Sequence, residues 1–110
     1  MVLASERYLN ERELYKNKPQ IKGYGHRTTP MLFDRKMADN DGSRYILSCT
    51  RQACVDADRR SGMSADVFDV FEINNCFTSS EYVAISVFGL TEPGKEYEAV
   101  ELGMIAFVWK

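Results

Sequence analysis

The chain has 110 residues, 45% of them apolar and 27% charged, the mixture of a globular domain, which excludes a disordered or low-complexity chain. At this length one domain can bury a core without disulfides or metals, so 1–110 is expected to fold as a single unit, with 1–20 as an N-terminal helical segment and 21–110 as its core. Lysine and arginine total 14 against 16 acids, with signs mixed along the chain, so no basic face offers itself to a phosphate backbone and nucleic acid is not favoured as a partner.

Apolar runs fall far short of the roughly 20 residues that a membrane span needs, and the N-terminus lacks the apolar centre of a signal peptide. The expected setting is therefore the cytoplasm, or the interior of a target cell after delivery by separate machinery. Cys49, Cys54 and Cys76 are odd in number and show no CxxC spacing, which suggests reduced thiols and neither a disulfide framework nor a zinc knuckle. His26 is the only histidine, so two-histidine metal motifs are closed off and no metal site is expected.

In chain order, helix formers predict a short helix from about Ser5 to Lys16, ended by Lys18-Pro19. Ile21 to Arg27 has room for a short strand whose glycines permit close backbone approach. Thr29-Pro30 reads as the cap and first turn of a second helix, with Met31, Leu32, Phe33 and Met37 on its buried face and the Asp39-Asn40-Asp41-Gly42 turn at its end. Arg44 to Thr50 reads as a strand, and Thr50 as the cap of a helix over Arg51 to Arg60 that Ser61-Gly62 ends. Further strands are predicted over Asp66 to Ile73, Glu81 to Phe88, Tyr97 to Leu102 and Met104 to Trp109. Together these make an α+β domain with a mainly antiparallel split sheet and two or three short helices. Phe68, Phe71, Phe77, Phe88 and Phe107 are expected in its core, and Trp109 packed in its last strand.

The segment Lys95 to Leu102 carries the densest chemistry. On a strand Glu96 and Glu98 share a face with Val100 and Leu102, about 6 to 7 Å apart, and two acids so placed disfavour each other's ionisation and suit acid or base work. The plainer alternative is that Glu96 closes the Pro93-Gly94 turn and Glu98 lies on a solvated edge. Arg27 and His26 likewise read either as a ligand anchor or as surface residues beside a turn.

A strand ending Ser48-Cys49-Thr50, then a helix, then a strand over 68–73, and finally Glu96-x-Glu98 resembles the arginine-type mono-ADP-ribosyltransferases, the family that includes the cholera and pertussis class of toxins and the vertebrate ecto-enzymes. The resemblance covers roughly Gly23 to Trp109. It implies NAD as substrate, with Arg27 holding it, Ser48 and Thr50 bracing the site, Glu98 as the catalytic acid and Glu96 orienting an arginine acceptor on a protein. His26 is a second possible anchor, because the histidine-type branch of the superfamily opens its motif with a histidine. The family's Ser-Thr-Ser is Ser48-Cys49-Thr50 here, and the Arg27 to Ser48 spacing is short. A fixed carboxylate would stabilise the oxocarbenium-like ribose left when nicotinamide departs, and a guanidinium would fork onto phosphate or ribose oxygens. The implied activity is transfer of ADP-ribose by a toxin or effector domain. The alternative is a small non-catalytic binding or inhibitor protein acting through a protein partner; an NAD-binding pseudoenzyme lies between the two. Catalysis calls for Arg27, Ser48 and Glu98 to converge on one pocket, whereas a binder allows them to scatter.

Overall fold

The computed structural model describes residues 3–14, 16 and 18–105. Along the chain run α1 (Glu6–Glu11), α2 (Phe33–Asn40), α3 (Ser48–Ser61), a 3₁₀ turn (Ala65–Val67), α4 (Thr78–Phe88) and α5 (Glu96–Glu101). Among the described residues there is no strand, so the expected α+β domain with a split sheet is corrected to an all-helical one.

The helices that were anticipated form where their end signals lie. Ser5 caps α1, its hydroxyl accepting the Tyr8 N–H at 3.2 Å, but the helix stops at Glu11, well short of Lys16. α2 starts four residues after Thr29, with Leu32 as its N-cap, and ends at the anticipated turn. α3 begins at Ser48 rather than Arg51, because Asn40 Oδ1 receives the Ser48 N–H at 3.3 Å and so caps α3 from the last residue of α2. Its last turn carries Arg59 and Arg60 beside the helix's negative end, and Gly62 stops it.

The remaining strand expectations fail for identifiable reasons. Residues 44–47 form a turn leading into α3. Residues 81–88 lie in α4, which ends in a Schellman motif: Gly89 adopts a left-handed φ of 83°, its N–H reaching Ser86 O at 2.9 Å while the Leu90 N–H reaches Ile85 O at 3.0 Å. Residues 97–101 lie in α5, enclosed by the Pro93-Gly94 turn and by Gly103. Residues 21–27 and 68–75 are irregular and pair with no strand among the described residues. Of the last predicted strand, 104–105 sit in a bend, and 106–109 lie outside the described residues, as do Phe107 and Trp109.

α4 is the centre of the packing, in contact with both α3 and α5. Among the described residues the buried apolar side chains are Ile85, Val87 and Ala99. Beside them Phe68 meets Phe71 edge-on, with ring centroids 5.7 Å apart, and Phe71 stacks on Phe88 at 5.0 Å. These three phenylalanines were expected in the core and are half-buried; Phe77 was expected there too and is 71% exposed. Arg51 ties α3 to the end of α4 by donating to Val87 O at 3.0 Å, while its guanidinium covers the Tyr45 ring.

The segment before α2 lies along α3 through close backbone contact. A Cβ on Gly23 would run into the carbonyl oxygen of Ala57, and one on Gly25 into that of Ala53. Positions two apart on an extended chain and four apart on a helix both repeat about every 6 to 7 Å, so the two glycines match two successive turns of α3. Arg60 closes over the Tyr24 ring at 4.4 Å and donates to the Tyr24 carbonyl. The face of α2 expected to be buried is bare, with Met31, Leu32, Phe33 and Met37 all exposed. A radius of gyration of 17.2 Å, against about 13 Å for a compact domain of this length, fits such an open arrangement. Among the described residues no helix is long and apolar enough to cross a membrane.

Candidate functional site

Arg27, the expected NAD anchor, points its guanidinium at the protein's own carboxylate. Nη2 of Arg27 donates to Asp56 Oδ2, and Arg59 Nη2 donates to Asp56 Oδ1 at 3.0 Å. Asp56 is 8% exposed, so two cations hold an acid that burial would otherwise penalise. Neighbouring His26 is exposed on the same irregular segment. The signal for Asp56 in the sequence was its i, i+3 spacing to Arg59; its link to Arg27 is tertiary and has no local signature.

Ser48 and Thr50 stand in the first turn of α3, two turns of helix away from Asp56, with Ser48 half-buried and Thr50 exposed. Glu96 and Glu98 stand in the first turn of α5. At about 100° per residue, two positions apart on a helix diverge by about 200°, so the pair does not share a face as it would on a strand. Their partners differ accordingly. The Glu96 carboxylate receives the Gly94 N–H at 3.0 and 3.1 Å, and Glu98 lies 3.7 Å from Lys95 Nζ. Desolvation pushes the Glu96 carboxyl up, but its own N–H, that of Gly94 and the Ser86 hydroxyl outweigh this and hold it below the ordinary range. Glu96 therefore acts as the clasp of the turn entering α5, close to the plainer of its two readings.

Two open apolar clefts flank Phe88. One, of about 530 Å³, lies between Gln20–Gly23, the Cys54 and Ala57 side of α3, and Phe68 to Glu72. The other, of about 440 Å³, lies between Ile46, Leu47 and Thr50 and the Val83, Ala84 and Val87 face of α4. Phe88 and Glu72 line both. Of the six residues expected at a site, Thr50 lines the second of these clefts and the other five line neither of the two. Burial pushes the Cys54 thiol up, reinforced by Asp58 and opposed by Arg51 and a backbone hydrogen bond, which leaves it a weak nucleophile in the first cleft. Among the described residues, no group of three or more His, Cys, Asp or Glu side chains is placed to hold a metal ion.

The second cleft has no counterpart in the predicted elements because it is built on a helical face of α4. Val83, Ala84, Val87 and Phe88 follow helical spacing, whereas Val83, Ile85 and Val87 alternate as a strand would. Compared with known protein families, curated proteins and solved structures, the chain matches none, so the chemistry of the site rests on its own side chains.

Proposed function

We propose that the chain is a small binding protein that takes an apolar stretch of a protein partner against the paired clefts around Phe88. The observation that carries this reading is the pair of open apolar clefts sharing Phe88 as a common wall. Contiguous exposed apolar surface rimmed by polar groups is the signature of a protein interface. Ile46 and Val70 stand on the two rims with 72% and 81% of their surface exposed. Engagement of Arg27 with Asp56, and the absence of Arg27, Ser48 and Glu98 from the lining of both clefts, favour the same reading. The order of strands that linked the chain to ADP-ribosyl transfer is replaced by helices, so that activity now rests on Glu96, Glu98 and Arg27 as residues alone.

The test places a photo-crosslinking residue at position 70 or 46 and identifies what it captures. The purified partner should then bind the intact protein at least about tenfold more tightly than Val70→Asp or Ile46→Asp, a loss of about 1.4 kcal/mol, with unchanged melting temperatures. Affinity indifferent to both substitutions overturns the reading. Nicotinamide release from NAD that Glu98→Gln abolishes would return the chain to the transferases.

A further inference from the structure

Residues 70–75, Val70-Phe71-Glu72-Ile73-Asn74-Asn75, have the composition of a strand and, among the described residues, none of its pairing. The chain bends at Asp69 and again at 76–77, and the six residues between, the usual length of a strand, contain no helix, turn or bend, with burial alternating along 70–74. Valine, phenylalanine and isoleucine at positions 70, 71 and 73 favour extended backbone. Among the described residues, no hydrogen bond reaches the backbone N–H or C=O groups of 70–75. Extended chain presenting bare main-chain donors and acceptors is a template for another strand. The other irregular segment is unsuited to this, since prolines 19 and 30 flank it and its glycines are pressed onto α3.

The side chains say what kind of strand fits. Phe71 stacks on Phe88 and Ile73 lines the second cleft, so one face of the segment is already anchored to the helices. Val70 is 81% exposed, and Asp69 and Glu72 are exposed with no ion-pair partner among the described residues. A strand laid beside 70–75 would continue the apolar face over the clefts with every second side chain and meet Glu72 with the others. Opposite charges across strands attract and like charges repel. A second copy of this chain paired antiparallel over 70–75 would set Glu72 opposite Ile73 and offer it no cation, so a basic partner segment complements this edge better than self-pairing does.

We propose that 70–75 is a docking edge for β-strand addition, and that its occupant is an extended segment of a partner protein in which basic and apolar residues alternate. This rests on the reading of the chain as a binding protein and names the chemistry of its partner.

The probe is a capped hexapeptide of alternating lysine and valine, titrated into the full-length protein. Three comparisons accompany it: a glutamate-valine analogue, a version N-methylated at every second residue, and the protein substituted Glu72→Pro. Strand addition predicts that the lysine peptide protects the amides of 70–75 from hydrogen exchange. It also predicts at least about tenfold weaker binding for the glutamate analogue, for the N-methylated peptide and for Glu72→Pro, which lacks a ladder donor. Glu72→Lys keeps the backbone and should reverse the preference towards the glutamate peptide. Equal affinity for the N-methylated peptide overturns strand addition while leaving apolar binding in the clefts intact. No binding of either charged peptide at about 1 mM, a floor of about −4 kcal/mol, overturns the proposal, and a crosslinked partner sensitive to Val70→Asp then keeps the binding reading alive. A concentration-dependent dimer that Glu72→Pro dissolves would assign the edge to a second copy and overturn the proposed occupant.

Discussion

Gly25 rests its Cα directly on the carbonyl of Ala53, and the smallness of this one residue lets the 20–27 segment reach α3. Because the obstructing atom is backbone in the middle of a helix, neither side can give way cheaply. Gly25→Ala is expected to lift the segment and cost about 1 to 3 kcal/mol, the range of overpacked sites. Denaturant unfolding measures the loss, and a variant as stable as the parent would show that the segment does not bear on α3. Glycines at 23 and 25 were legible as a place of close backbone approach, but the object approached was not, because Ala53 and Ala57 carry no signal of their own. The same division applies to Arg27. Its charge and fork geometry marked it as an anchor, and the acid it anchors, Asp56, sits 29 positions further along the chain.

At the scale of elements, the hairpin of α4 and α5 depends on the turn that Glu96 clasps. Its carboxyl titrates below the ordinary range when folded, so the stabilisation is present above that range and lost as the pH falls through the folded value. The intact protein should therefore melt above Glu96→Gln at neutral pH, with the gap closing in acid; a constant gap would assign the effect to packing. Elements with strong end signals were legible, α3 above all, whose stop at Gly62 follows from a left-handed cap. α4 was not, since Val83, Ile85 and Val87 alternate as a strand would, and β-branched residues reinforce that impression. What decides for the helix is burial of Ile85 and Val87 between α3 and α5, a tertiary fact that outweighs local preference. Phe68 to Ile73 shows the converse: the strand signal is present, and among the described residues no second strand lies alongside to complete it.

For the molecule as a whole, burial concentrates in one place. Ile85, Val87, Ala99 and the phenylalanine cluster belong to α4, α5 and the 68–71 segment, with α3 packed against α4, while α1 and α2 contain no buried residue. Helices of six and eight residues are too short to persist in water on their own backbone hydrogen bonds. Cooperative stability should thus be confined to the α3–α4–α5 unit, with the rest opening at much lower free energy. Native-state hydrogen exchange in the isolated protein is expected to show the slowest amides in the middle of α3 and α4, fast exchange throughout α1 and α2, and unprotected amides at 70–75. A partner strand on 70–75 would join that segment to the protected unit and raise the melting temperature in proportion to the logarithm of partner concentration once binding saturates. Protection of α2 equal to that of α4 would contradict this division, because an apolar face exposed as Leu32 and Phe33 are has no packing to hold it closed.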